Sequence, residues 1–269
     1  MKLLLCLSLV CLQSKAADYF CYLPGAGGLT EYMKNEVPKQ LNSVGVPFIA
    51  FDIGKSGTVQ ERAQIFLNAF EQVLEEDNSA KCHLFGFSMG GLVSRWLVNH
   101  ADINGVPFKN FVLSQSSSSS PHYGTPLARL LRRYWSNAAP GVEQLSEENV
   151  RQFNDPSSGD FSPVVPGIPF YSYRTYIESK HEAGGLLNML GYQLIVQEHD
   201  RLGIETLNDG IVPTKSQGFG TLLGDIHASH GYFKRPTDYS IHLVDFFQAH
   251  WNFLTKGTKP LVSERFASN

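Results

Sequence analysis

The sequence predicts a single α/β domain with a mostly parallel central sheet and helices on both of its faces. Apolar runs rich in β-branched and aromatic residues alternate along the chain with amphipathic helical patterns, which is typical of parallel sheets covered by helices. Glycine-rich turns follow two of these runs, at 24–28 and 86–91. The 269 residues suffice for one large core and give no reason to divide the chain into two domains.

The elements follow in a regular order. Strand patterns fall at 19–23, 46–53, 81–85, 108–114 and 169–176, and helical patterns at 31–42, from 59 to 73, at 90–99 and at 241–254. The second helix carries the clearest signal, because Thr58 and Glu61 have the spacing of a capping box. Its apolar residues then recur in steps of three and four at Val59, Ala63, Phe66, Phe70 and Val73.

The segment 116–169 breaks this alternation and predicts a short lid-like insertion. It contains a run of five serines, several prolines and one plausible helix near 126–135. We interpret the serine run as a loop rather than as a low-complexity region.

The N-terminus has the composition of a signal peptide. Lys2 precedes an apolar run of about ten residues at 3–12, which is too short to span a bilayer. Small residues at Ser14 and Ala16 then favour cleavage, so we predict a signal peptide at 1–16 and a mature domain at 17–269. An uncleaved strand or anchor is the alternative, and Val10 disfavours a lipid-modified Cys11. The protein is therefore expected in the periplasm or outside the cell.

A serine stands in the pattern G-x-S-x-G at Gly86-Phe87-Ser88-Met89-Gly90. A nucleophilic serine on a sharp strand-to-helix turn needs small neighbours two residues away on either side. The pattern alone is weak, but here it follows an apolar strand and precedes a helical pattern. Ser88 is therefore the candidate nucleophile, and an ordinary glycine-rich turn is the alternative.

Two backbone N–H groups are candidates for stabilising an oxyanion. Acyl transfer needs donors aimed at the oxygen on which negative charge develops. The N–H of Met89 lies directly after the serine, and the N–H of Ala26 lies in the glycine-rich turn after the first strand. A plain tight turn is the alternative at 24–28, and no phosphate-binding motif is present.

The candidate base is His230 and the candidate acid is Asp209. A serine hydroxyl needs a histidine base, and that histidine needs a carboxylate to orient it, in the chain order serine, acid, histidine. His230 lies ahead of the last helix where a loop is expected, and Asp209 lies in an Asn-Asp-Gly turn. His227 is the alternative base, also placed in that loop, and Asp200 and Asp225 are the alternative acids.

These blocks resemble those of bacterial triacylglycerol lipases of the α/β-hydrolase superfamily. The resemblance rests on 22–28, 84–93, 121–125 and 208–213, together with the histidine block that ends at His230. It implies the α/β-hydrolase fold and a Ser88–Asp209–His230 triad. The chain departs from the family at Pro24, where a histidine is usual, and at Tyr232, where many members have an aspartate that binds calcium. No metal or cofactor is therefore expected, and the lid at 128–169 is short.

The mature chain keeps two cysteines, Cys21 and Cys82, each four residues before a turn glycine. In the fold that the resemblance implies, their strands are neighbours and the two sulfurs can be close. Because disulfides between adjacent parallel strands tend to be strained, we favour two buried thiols, and a disulfide is the alternative.

The function predicted from the sequence is hydrolysis of a carboxylic ester, with a small-molecule or lipid ester as substrate. The alternatives are acyl transfer to another alcohol by the same residues and a non-catalytic module that binds lipid or the cell envelope. A net charge of −3 with mixed signs gives no basis for nucleic-acid binding. We expect a monomer that contacts lipid surfaces transiently.

Overall fold

A computed structural model describes residues 18–129, 140–231 and 242–262. The predicted signal peptide at 1–16 and Tyr232 lie outside the described residues. Of the helix predicted near 126–135, residues 126–129 are described and are helical, and the rest lies outside.

Six parallel strands form the central sheet, in the order β2-β1-β3-β6-β7-β8. Their bounds are β1 Asp18–Leu23, β2 Phe48–Ala50, β3 Lys81–Phe87, β6 Val112–Ser118, β7 Phe170–Tyr176 and β8 Thr221–His227. A separate antiparallel pair, β4 Asp102–Ile103 and β5 Val106–Pro107, lies between β3 and β6 in the chain.

Helices cover both faces of the sheet, as the sequence predicts. Their bounds are α1 Val37–Ser43, α2 Val59–Glu76, α3 Met89–His100, α4 Pro140–Glu143, α5 Glu147–Asn154, α6 Leu186–Leu202, α7 Thr214–Gln217 and α8 Leu243–Lys256. One core cluster contains buried residues of α2 and α3, and the other contains those of α1 and α8. None of these helices, over the described ranges, is long and apolar enough to cross a bilayer.

The two-residue period of the strands divides the sheet between these cores. In β1, Cys21 and Leu23 pack with α2 and α3, whereas Phe20 and Tyr22 pack with α1 and α8. Burying both faces explains why the strand reads as an uninterrupted apolar run rather than an alternating one.

The predicted capping box of α2 is present. The Thr58 side chain accepts from the Glu61 N–H, and a Glu61 carboxylate oxygen accepts from the Thr58 N–H at 2.7 Å. The predicted apolar stripe is buried at Val59, Ala63, Phe66 and Phe70 and partly buried at Val73, which places α2 beside β1 and β3.

The strand predicted at 108–114 begins later. Residues Phe108–Phe111 form a 3-10 turn, and β6 runs from Val112 through the serine run to Ser118. The interpretation of these serines as a loop is therefore wrong for Ser116 to Ser118. The buried hydroxyls of Ser116 and Ser117 are hydrogen-bonded by histidines, Ser116 by His250 at 2.8 Å and Ser117 by His122 at 2.9 Å.

The expectation of two free buried thiols is also wrong. Cys21 and Cys82 form a disulfide with a Cα–Cα distance of 5.7 Å. In the register between β1 and β3, Cys21 stands opposite Leu84 and Cys82 opposite Tyr19, so the cysteines are diagonal neighbours. Both point to the same face of the sheet, which lets the sulfurs meet across two adjacent parallel strands.

Candidate active site

Ser88 lies on a strained turn between β3 and α3. Its backbone has φ 54° and ψ −124°, a conformation that non-glycine residues rarely adopt. The Ser88 N–H donates to the Ser118 carbonyl of β6 at 3.0 Å, which fixes the turn to the sheet. The hydroxyl is thereby held at the N-terminus of α3, where the helix dipole favours negative charge.

Two glycines of the motif allow this turn to form. A Cβ at Gly86 would lie 2.4 Å from the Gly90 carbonyl carbon, and a Cβ at Gly90 would lie 2.2 Å from the Leu23 carbonyl oxygen. Both contacts are with backbone atoms, which cannot move aside cheaply. The close packing of α3 on β1 and β3 therefore depends on glycine at these positions.

His230 contacts the Ser88 hydroxyl. Its Nε2 lies 3.0 Å from Ser88 Oγ although the two residues are 142 positions apart in the chain. The Phe87 ring packs against the imidazole with centroids 5.1 Å apart, and the His230 N–H donates to the Asp209 carbonyl at 2.8 Å. The His230 imidazole is thus held by packing against Phe87 and by the backbone hydrogen bond of its own residue.

Asp209 lies on the other side of that imidazole and is fully buried. Its Oδ2 is 2.8 Å from His230 Nδ1, and its Oδ1 accepts the N–H groups of Ile211 at 3.0 Å and Val212 at 2.8 Å. A carboxylate held at Nδ1 leaves Nε2 as the acceptor for the serine proton. The structure therefore brings Ser88, His230 and Asp209 into one hydrogen-bonded chain.

The alternative base and acids lie outside this hydrogen-bonded chain. His227 is the last residue of β8 rather than part of a loop, and its Nε2 is 2.6 Å from Glu182 Oε2. Asp200 is exposed on α6. Both carboxylate oxygens of Asp225 are held by Arg174, at 2.6 and 2.8 Å.

Ala26 and Met89, the predicted oxyanion donors, lie close to Ser88. Met89 is the first residue of α3, and Ala26 lines the same cavity as the Ser88 and His230 side chains. The loop that carries Ala26 touches the serine directly, because a Cβ at Gly25 would lie 2.7 Å from Ser88 Cβ.

A buried arginine that the sequence analysis did not single out ties this loop to α3. Arg62 on α2 donates through Nη2 to the carbonyls of Pro24 at 3.1 Å and Gly25 at 2.8 Å, and Nη1 lies 3.5 Å from Met89 Sδ. Burial lowers the pKa of Arg62 to about 10, which leaves it charged at neutral pH. The sequence feature that points to this role is an arginine within the apolar stripe of α2, three residues after Val59.

Other serine–histidine pairs occur in the protein, and they show what is particular about Ser88. Ser116 lies 2.8 Å from His250 Nε2, but Ser116 is on a regular strand and the other ring nitrogen of His250 contacts the Tyr173 hydroxyl at 2.8 Å. Burial lowers the pKa of His250 to about 3, so that this imidazole stays neutral. It has neither the carboxylate nor the strained turn that accompany Ser88.

Two cavities meet at His230. One, of about 200 Å³, is lined mainly by apolar side chains beside Ser88 and Ala26, among them Leu127, Val142, Leu145 and Ile211. The other, of about 280 Å³, is lined by 184–188, His230 and Gly231. Within residues 18–129, 140–231 and 242–262 no group of three or more metal-ligating side chains is found.

Comparison with solved structures decides the fold. The lipase BlEst2 of Bacillus licheniformis in its mature form superposes with a TM-score of 0.60 over 79% of this chain and 84% of its own, at 18% identity. The metagenomic carboxyl esterase MGS0156 gives a TM-score of 0.63 over 86% of this chain and 70% of its own, at 18% identity. The chain has the α/β-hydrolase fold.

Lipase 1 of Pelosinus fermentans is a further structural neighbour, with a TM-score of 0.64, 14% identity, and coverage of 92% of this chain and 100% of its own. No protein-family model matches this chain, and no curated protein matches it by sequence. At these identities the likeness extends to the fold, and the chemistry has to be argued from the residues themselves.

Proposed function

We propose that this α/β-hydrolase cleaves carboxylic esters, lipid-like ones included, through an acyl-enzyme formed on Ser88. The observation that carries the proposal is the hydrogen-bonded chain from Ser88 through His230 to Asp209, with its serine on a strained turn. This is the arrangement that activates a hydroxyl for attack on a carbonyl.

Each step of the proposed reaction has a residue that performs it. Ser88 Oγ attacks the ester carbonyl carbon while His230 Nε2 takes the serine proton, and Asp209 stabilises the imidazolium through Nδ1. The N–H groups of Ala26 and Met89 stabilise the oxyanion.

Collapse of the tetrahedral intermediate breaks the bond to the alcohol oxygen, which receives the proton from His230. Water then attacks the acyl-enzyme as His230 accepts its proton, and the acid departs as that proton returns to Ser88.

The surroundings of the site favour an apolar ester. The cavity beside Ser88 and Ala26 is walled by aliphatic side chains that suit an acyl chain. Next to it, at the start of α6, Leu186 is 73% exposed and Leu190 is 48% exposed, while Leu187 lines both cavities. We call the exposed Leu186 and Leu190 the leucine edge. We infer that the leucine edge contacts the lipid surface from which the substrate is drawn.

We also infer that the protein works in the periplasm or outside the cell. The Cys21–Cys82 disulfide supports this inference, since such bonds persist in oxidising compartments. The signal-peptide pattern at 1–16 supports it independently.

Hydrolysis of a chromogenic short-chain ester by the wild type and by Ser88→Ala tests the proposal. We expect Ser88→Ala to lower kcat by about 10⁶-fold, because the nucleophile is removed. Ser116→Ala is the matched control, since it removes a buried serine that is also hydrogen-bonded to a histidine.

We expect the control to keep kcat within a few-fold while circular dichroism shows all three proteins folded. Equal background rates in the wild type and Ser88→Ala would refute ester hydrolysis and leave the binding-module alternative. An acylated alcohol as the main product, when one is added, would instead indicate an acyltransferase.

A further inference from the structure

We propose that Thr175 is a positioning residue for Asp209, and that Ser119 acts through it. The inference rests on the proposed function, because it concerns the same carboxylate. Thr175 Oγ1 on β7 lies 2.8 Å from Asp209 Oδ2, the oxygen that also contacts His230. Ser119 Oγ, just beyond β6, lies 2.7 Å from Thr175 Oγ1. All three side chains are fully or almost fully buried.

The direction of these hydrogen bonds follows from the partners. Thr175 has one hydroxyl proton and two acceptors nearby, Asp209 Oδ2 at 2.8 Å and Gln217 Oε1 at 3.1 Å. The carboxylate is the closer and the charged acceptor, so it takes the proton. The Ser119 hydroxyl then donates to Thr175 Oγ1, which strengthens the bond that Thr175 makes to the carboxylate.

The consequence is that both oxygens of Asp209 are occupied. Oδ1 accepts from the N–H groups of Ile211 and Val212, and Oδ2 accepts from Thr175 and His230. With all four bonds in place the carboxylate cannot rotate, and Oδ2 stays aimed at His230 Nδ1. Without the threonine hydroxyl, Oδ2 keeps His230 as its one donor, and its position relative to the imidazole is less defined.

Gln217 holds Thr175 in register with the Asp209 turn. Its Oε1 accepts the Thr175 N–H at 2.6 Å, and its Nε2 donates to the carbonyls of Thr175 at 2.9 Å and Val212 at 3.0 Å. Val212 is also the residue whose N–H binds Asp209 Oδ1. One amide therefore joins β7 to the segment that orients the carboxylate.

Ser119 supplies an independent observation. It is one of three non-glycine residues with positive φ among those described, at 56°, and Ser88 is another. Strained backbone of this kind persists where the surrounding structure fixes it, often at functional sites. Here the strain aims the Ser119 hydroxyl at Thr175.

The test replaces the hydroxyl and keeps the shape, with Thr175→Val. We expect kcat for the chromogenic ester to fall about 10- to 100-fold, the value of one hydrogen bond to a charged group, with KM within about twofold. Thr175→Ser, which keeps the hydroxyl, is expected to restore kcat to within about threefold of the wild type. The proton resonance of His230 Nδ1–H is expected to shift in Thr175→Val and to return in Thr175→Ser.

Ser172→Ala is the matched control, because Ser172 is a buried hydroxyl on the same strand that accepts the Phe219 N–H and does not contact Asp209. It is expected to lower stability and leave kcat unchanged. The double variant Thr175→Val/Ser119→Ala is expected to be no slower than Thr175→Val, since Ser119 acts through Thr175. A kcat unchanged in Thr175→Val, an equal loss in Ser172→Ala, or additive losses in the double variant would overturn the proposal.

The resonance separates failure of this inference from failure of the proposed function. A wild type without Ser88-dependent turnover would refute ester hydrolysis, yet the His230 signal can still be recorded. If that signal is the same in Thr175→Val as in the wild type, Thr175 does not position Asp209, whatever the turnover.

Discussion

Replacing the Asp209 carboxylate with an amide, in Asp209→Asn, changes the proton arrangement at His230 in a direction that the structure specifies. In the native protein Oδ1 accepts two backbone N–H groups and Oδ2 accepts from Thr175 and His230. An asparagine that turned its NH₂ toward Ile211 and Val212 would set donors against donors, at about 1–3 kcal/mol for each lost bond. The amide oxygen therefore keeps the Oδ1 place, and the NH₂ faces His230 Nδ1.

An NH₂ donating to Nδ1 forces the imidazole into the tautomer with its proton on Nε2. That proton then points at Ser88 Oγ, so the histidine donates to the serine instead of accepting from it. We expect kcat to fall by about 10⁴-fold, or about 5.5 kcal/mol in the activation free energy. The assay is hydrolysis of the chromogenic ester, with the free energy of unfolding measured alongside to show that the variant folds.

Asp200→Asn and His227→Gln are the matched controls, because these residues are the alternative base and one of the two alternative acids, and neither contacts Ser88. Both are expected to keep kcat within a few-fold. The reasoning is refuted if Asp209→Asn retains more than about a tenth of the wild-type kcat, or if either control loses activity as severely.

Two further predictions concern stability and the substrate surface. Cys21→Ala/Cys82→Ala is expected to lower the free energy of unfolding in urea by about 4 kcal/mol, because the disulfide closes a loop with a separation of 61 residues. An unchanged midpoint of urea unfolding would contradict this. Leu186→Ser/Leu190→Ser is expected to lower the rate on an emulsified ester about tenfold while the rate on a soluble ester stays within twofold, because we propose that these exposed leucines contact the lipid surface. Equal rates of the double variant and the wild type on the emulsion would remove the leucine edge from the account.

The sequence predicts those parts of the fold in which local pattern and tertiary packing agree. The stripe of α2 is such a case, since its capping box and its apolar period both match the buried face. The same holds for β1 and β3, whose apolar runs end in glycine turns. The contacts that join Ser88, His230 and Asp209 follow from the parallel topology, which brings the carboxyl ends of the strands to one edge.

Helix α6 was not predicted, and its composition explains why. Its buried residues are Gly191, Ile195 and His199, whereas Leu186 and Leu190 face solvent. Periodicity depends on apolar residues facing the core, so a helix that exposes its leucines gives no such signal. If those leucines meet lipid, the failure of the pattern is itself a consequence of function.

Strands β6 and β8 show a second kind of limit. Serine has no strong strand preference, so the sequence predicts the start of β6 but not its part beyond Ser114. The hydroxyls of Ser116 and Ser117 there are hydrogen-bonded by the distant His250 and by the nearby His122. In β8, Gly224 and Asp225 weaken the local strand signal, and Asp225 is held by Arg174. The disulfide likewise depends on the register of two strands, which no local pattern encodes.

The most direct test of the central claim is covalent labelling by a fluorophosphonate, with the modified residue mapped by mass spectrometry. The account predicts a single adduct on Ser88, formed in the wild type and Ser116→Ala. In Asp209→Asn it forms about 10⁴-fold more slowly, because His230 then carries its proton on Nε2 and cannot accept that of Ser88. An adduct on any other serine of the folded protein, or equal labelling rates in the wild type and Asp209→Asn, would contradict the claim that His230 and Asp209 activate the Ser88 hydroxyl.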